Sequence, residues 1–93
     1  MEMVEDQTAK PLVVPNPFTD RTTISFSQEQ AGKVSLVLFN SLGETVQVIC
    51  DKELSAGPYQ FVIDGNKLPD GVYYYRLSHA TGSTGGMLLL EKK

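Results

Sequence analysis

The stretch that most constrains this chain is Leu68-Pro69-Asp70-Gly71-Val72-Tyr73-Tyr74-Tyr75-Arg76-Leu77. Pro69 fixes its own φ near −65° and suits a turn. Gly71 admits backbone angles that a residue with a Cβ resists. Beyond it, Tyr73, Tyr75 and Leu77 alternate with Val72, Tyr74 and Arg76, which is the period of a strand. A leucine, a glycine and a tyrosine at the mouth of a strand resemble the tyrosine corner of β-sandwiches, in which the ring enters the core and the hydroxyl bonds back to upstream backbone. The role falls to Tyr73.

The remainder of the chain repeats the alternation. Ile24 and Phe26 share one parity in Arg21–Ser27, and Val34, Leu36 and Leu38 share one in Lys33–Asn40. Val37 and Phe39 make the second face of that segment apolar as well, the mark of a central strand. Thr45–Leu54 places Val46, Val48 and Cys50 on one face; Gly57–Asp64 alternates Tyr59, Phe61 and Ile63 with Gln60, Val62 and Asp64. Gly43 is placed for a positive φ in the Asn40–Gly43 connection. Gly and Pro punctuate the chain at short intervals and no amphipathic helix of useful length exists, which argues for an antiparallel sandwich.

The expected fold is therefore an all-β, immunoglobulin/fibronectin-III-like antiparallel β-sandwich of about seven strands. One sheet is expected on Arg21–Ser27 and Gly57–Asp64, the other on Lys33–Asn40, Thr45–Leu54, Gly71–His79 and Ser83–Leu90. Pro11–Val14 adds a short edge strand. Pro15-Asn16-Pro17 then forces an extended path lacking two backbone donors, and Phe18 anchors it. The expected core is Ile24, Phe26, Val34, Leu36, Leu38, Tyr59 or Val62, Tyr73, Tyr75, Leu77, Met87 and Leu89.

At 93 residues the chain has room for one core, expected over 11–93, with Met1–Lys10 as a polar linker. A domain of this size buries about 60% of its unfolded surface, so roughly 5–10 kcal/mol of stability is expected. The net charge of −3 offers no basic footprint for nucleic acid or anionic lipid. Cys50 is the single cysteine and His79 the single histidine, which excludes an internal disulfide and argues against a zinc site. No apolar run is long enough to span a membrane as a helix. Met1 opens an acidic, polar segment that does not read as a signal peptide; if the domain is exported, the signal is expected upstream in a longer protein, of which this chain is expected to be a C-terminal module.

Catalytic chemistry finds little footing. His79 sits late in a strand beside a hairpin, with no nucleophile and orienting group at a defensible spacing. Asp51, Asp64 and Asp70 carry oxygen ligands suited to calcium, but their spacing matches no ion-binding loop, and acids are common in turns for their own hydrogen bonds. Cys50 on an apolar face is a small buried hydrophobe. No cofactor or metal is expected.

Four places, taken in order, are similar to a known family. They are Pro15-Asn16-Pro17-Phe18 with Thr22–Phe26; Gly32-Lys33-Val34 leading to Leu38-Phe39-Asn40-Ser41-Leu42-Gly43; Leu54-Ser55-Ala56-Gly57 with Leu68–Leu77; and a short apolar strand ending in lysines, Met87–Lys93. From about Leu12 to Lys93 the chain resembles the C-terminal sorting domain of the type IX secretion system, type A. Val14 stands where that family often has an aromatic, and the Cys50 strand is not distinctive.

The resemblance implies a non-enzymatic address label behind an upstream cargo domain. It implies transit through the periplasm, reading by outer-membrane secretion machinery, removal by a sortase-like peptidase, and release or anchoring of the cargo at the cell surface. It places the signal toward the C-terminus. The residues expected to carry recognition are Pro15, Asn16, Pro17, Gly71, Tyr73, Leu88, Leu90, Lys92 and Lys93. With Met87 and Leu89 facing inward, Leu88, Leu90 and the strand edge are expected to stay partly available, and the lysines to orient docking. The alternative is an immunoglobulin-like structural or carbohydrate-binding accessory module of a secreted enzyme. A carbohydrate binder usually shows an exposed aromatic platform, and this chain has no tryptophan.

Overall fold

The computed structural model describes residues 11–80 and 82–92. Met1–Lys10, expected as a linker, Thr81 of the last hairpin, and Lys93 lie outside the described residues. Seven strands follow in order: β1 (Leu12–Val14), β2 (Arg21–Gln28), β3 (Gly32–Asn40), β4 (Thr45–Leu54), β5 (Gly57–Asp64), β6 (Gly71–His79) and β7 (Gly82–Leu90). A 3-10 turn at Gly65–Lys67 joins β5 to β6. The three-stranded sheet runs β1-β2-β5 and the four-stranded sheet β4-β3-β6-β7. Every ladder is antiparallel. The sandwich and the division of strands between its sheets are those the alternation predicts, and β3, apolar on both faces, is central.

The core between the sheets holds Phe18, Ile24, Phe26, Val34, Leu36, Leu38, Cys50, Ile63, Tyr73, Tyr75, Leu77, Leu88 and Leu90. Three expectations about facing are corrected. In β7, Leu88 and Leu90 point inward, Leu89 is half-buried, and Met87 is 56% exposed. The register decides this: Leu88 lies opposite Tyr73, and cross-strand partners share a face, so the tyrosine that enters the core takes Leu88 with it. In β4, Cys50 is buried but Val46 and Val48 are exposed. The ladder shifts there, pairing Leu36 with Cys50 but Val37 with Val48, so Ile49 is an extra residue that reverses the facing beyond it. A second shift between Leu38 and Phe39 leaves Val46 without a partner. In β5, Val62 is exposed and Ile63 is the buried residue, opposite buried Thr22. Tyr59 is half-buried and stacks with Phe26, their ring centroids 5.8 Å apart.

Gly43 has φ +84° in the β3–β4 turn, as its placement predicts. Asn40 sets that turn: its Oδ1 accepts from the amides of Leu42 at 2.9 Å and Glu44 at 3.0 Å.

Candidate recognition site

Nearly all the residues expected to carry recognition meet at one end of the sandwich, along the outer edge of β7. β7 is the last strand of its sheet, so its outward amides and carbonyls lack a neighbouring strand. The segment Pro15–Phe18, which links β1 to β2, crosses to that edge and covers its C-terminal half.

Asn16 makes the first pair of contacts. Its Nδ2 donates to the carbonyl of Met87 at 2.8 Å, and its Oδ1 accepts from the amide of Leu89 at 3.0 Å. The side-chain amide has one donor and one acceptor in the arrangement of a peptide group. It therefore satisfies the edge as a strand residue would, in a stretch where the flanking prolines bring no backbone N–H. Phe18 continues the pairing with its own backbone: its amide donates to Leu89 O at 2.9 Å, and its carbonyl accepts from Glu91 N at 2.9 Å. A parallel bridge joins Phe18 to Leu90.

Beneath this edge the packing is tight. The Phe18 ring is buried, as its anchoring role predicts, beside Leu90 and Gly65. A Cβ on Gly65 would lie 2.9 Å from the Phe18 ring and 3.0 Å from Leu90 Cδ1, so this glycine is required for close approach. Thr22, buried in β2, donates from Oγ1 to Pro15 O at 2.6 Å and ties the segment to the three-stranded sheet.

The tyrosine corner closes the same end. Tyr73 Oη donates to Pro69 O at 2.5 Å with its ring in the core, as the sequence predicts. Burial first, and the nearby Asp70 carboxylate second, push the Tyr73 hydroxyl above its ordinary pKa. Burial does the same to Tyr75. Gly71 takes φ +148°, where L side chains are rarely found, and lies opposite Leu90. Asp70 accepts from the Lys92 amide at 3.1 Å and holds the chain just past β7. Lys92 Nζ reaches the Asn66 carbonyl at 3.5 Å.

Pro15, Asn16, Pro17, Gly71, Tyr73, Leu88, Leu90 and Lys92 thus share one end, although the sequence separates them by more than seventy positions. Leu88 and Leu90 are 0% and 1% exposed, so they act here as core that seats β7 and not as contact surface. Three contributors were not singled out from sequence for what they do here: Thr22, Gly65 and the Asp70 side chain. The strand of Thr22 gives a parity but not a partner; only its buried hydroxyl, needing an acceptor, reveals the link.

The other chemistries weighed from sequence do not assemble. Asp51 pairs with Lys33 at 3.3 Å, Asp64 caps the amide of Asn66 at 2.9 Å, and Asp70 takes Lys92. Among the described residues, no group of three His, Cys, Asp or Glu side chains could hold a metal ion. Cys50 is buried with its Sγ 3.9 Å from Val34 O.

No match was found among curated proteins or among solved structures. The family model described as a secretion system C-terminal sorting domain matches residues 12–90, from the first residue of β1 to the last of β7. With that match spanning every strand of the sandwich, this chain belongs to the C-terminal sorting domain family of type IX secretion.

Proposed function

We infer that this domain is the address label by which an upstream cargo is exported across the outer membrane, with no catalysis of its own. Family membership over the whole sandwich is the observation that carries the reading. The structure supports it by showing a small unit whose strands all pair within the chain, the requirement for a label that must fold behind unrelated cargo. Outer-membrane machinery reads the label after transit through the periplasm, and a sortase-like peptidase then separates it from cargo that is released or held at the cell surface.

Within the label, Leu88, Leu90, Gly71 and Tyr73 fix the end of β7, and Pro15-Asn16-Pro17 lock it from outside. The accessible groups for docking are then the Met87 side chain, Lys92 and the exposed strap Pro15–Pro17, and Lys93 adds a second positive charge in the sequence. The two lysines lend an acidic module local positive charge that orients docking without much affinity.

The test fuses residues 11–93 to a periplasm-competent reporter in a host that has the secretion system. Lys92→Glu combined with Lys93→Glu should lower export while leaving the melting temperature within a few degrees of wild type. A fusion that also carries Met1–Lys10 should export equally. Full export of the folded lysine variant would remove those residues from the signal, and failure of the intact domain to export the reporter would overturn the function.

A further inference from the structure

The strap covers only part of the β7 edge. Asn16 and Phe18 engage Met87 O, Leu89 N, Leu89 O and Glu91 N, so the odd-numbered residues of β7 turn their backbone groups outward. The β6–β7 register runs from Gly71↔Leu90 to His79↔Gly82 without a shift, so the same parity holds to the start of the strand. Among the described residues, Ser83 and Gly85, with their amides and carbonyls, and the Met87 amide therefore form an outward row that no strand pairs.

Of the other edges two are blunted and one, β5, is regular. β1 is three residues long, and β4 carries two register shifts and the exposed charges Asp51, Lys52 and Glu53. β5 is regular but begins at Gly57-Pro58, where one amide is missing, and no charged side chain lies beside it between Tyr59 and Ile63.

The face beside the open half of β7 is distinctive. Arg76 lies opposite Gly85, and Tyr74 opposite Met87, on the outer face of the four-stranded sheet. Tyr74, Tyr75 and Arg76 of β6 and Gly85, Gly86 and Met87 of β7 line a shallow hollow there. Among the described residues, Arg76 has no ion pair. Gly85 must lack a side chain, because a Cβ would sit 2.7 Å from Tyr75 O. Arg76, exposed and opposite a residue without a side chain, stands two strand spacings, about 10 Å, from the position that the next strand would occupy.

We propose that the edge Ser83–Met87 receives an extended segment of the secretion machinery as an added β-strand, with an acidic side chain opposite Gly85 that pairs with Arg76. This deepens the proposed function and rests on it. The side chain of Asn16 and the backbone of Phe18 already pair with the next groups of the same edge, so the incoming strand extends an interaction that the fold itself makes. The strap limits its length: it abuts Asn16 and pairs over about five residues. A second copy of the chain is a poorer occupant, because its own Ser83–Met87 contains no acidic residue. Backbone pairing supplies affinity, and the Arg76 row supplies register and selectivity.

The experiment uses the reporter fusion of residues 11–93 in the secretion-competent host. Ser83→Pro removes an outward amide and adds nothing to the β6–β7 ladder, and Gly82 before it tolerates the change. Arg76→Glu reverses the charge on an exposed side chain. Thermal melts first confirm that each folds; if Ser83→Pro does not, Arg76→Glu and a photoactivatable phenylalanine analogue at position 83 carry the test. The expected result is at least a tenfold loss of export for either variant. A crosslink from position 83 to an outer-membrane component should appear only in that host and disappear with Arg76→Glu. The same analogue at position 62, on the other sheet, should give none. Wild-type export with unimpaired export of both folded variants overturns the edge assignment and leaves the function standing. A crosslink to a second copy also overturns it. Loss of export by the wild-type domain itself defeats the function, and the edge assignment falls with it.

Discussion

Asn16→Asp is the most informative single substitution in the strap. The native amide donates to Met87 O and accepts from Leu89 N, at 2.8 and 3.0 Å. Asn16→Ala removes both bonds. Each neutral hydrogen bond contributes about 0.5–1.5 kcal/mol net, and water can reach this exposed edge, so a loss of about 1–2 kcal/mol is expected. Asn16→Asp retains the acceptor but places a carboxylate oxygen against the Met87 carbonyl, acceptor facing acceptor. At pH 7 it should therefore be at least as destabilising as alanine, although it preserves size and one bond. Protonation restores a donor, so the aspartate variant should recover relative to alanine as the pH falls below about 4, the ordinary range of that carboxyl. Urea unfolding of the three proteins at pH 7 and pH 3.5 measures this. Amide exchange at Leu89 gives a local reading, with faster exchange in Asn16→Ala than in wild type. An Asn16→Asp protein as stable as wild type at pH 7, with unchanged protection at Leu89, would refute the role given to this amide.

Other outcomes follow from the same end of the molecule. Tyr73→Phe should cost about 1 kcal/mol by removing the bond to Pro69 O, and Tyr73→Ala about 3–5 kcal/mol by opening a cavity, both read from denaturant midpoints. Tyr73 and Tyr75 have hydroxyl pKa values raised in the folded state, so folding favours their neutral forms. Their stabilising contribution is fully present below about pH 10, the unfolded value, and is lost as the pH rises through the higher folded values. Unfolding midpoints should thus fall above about pH 10, less steeply in Tyr73→Phe. Leu88→Ala should cost about 2–5 kcal/mol, whereas Met87→Ala, on the solvent side of β7, should change stability by about 0.5 kcal/mol or less. Equal effects would mean that the facing of β7 is wrong.

The strands were legible because alternation is a local property. Val34-Leu36-Leu38 and Tyr73-Tyr75-Leu77 each keep one apolar parity without a break, and both runs lie in the core as read. The tyrosine corner was legible for the same reason, its turn and ring lying within a few residues of each other. Met87-Leu88-Leu89-Leu90 is apolar at both parities, so nothing local says which pair faces in; pairing with β6 settles it by setting Leu88 against Tyr73. β4 misled because parity counts assume an unbroken ladder, and the residue that breaks it, Ile49, is an ordinary strand former. The candidate site was half legible. Pro15-Asn16-Pro17-Phe18 and Met87–Lys93 each stood out, but a side-chain amide serving as a strand residue is a long-range event. Only the fold brings Asn16 to Leu89.

The most direct test of the account is transplantation. Residues 11–93 are joined behind a fluorescent or enzymatic reporter that already reaches the periplasm, and the fusion is expressed in a strain with type IX secretion and in an otherwise identical strain lacking its outer-membrane translocon. The account predicts reporter at the cell surface or in the medium of the first strain and retained in the periplasm of the second, with the same outcome when residues 1–10 are included. Equal distribution of the folded fusion in the two strains would contradict it.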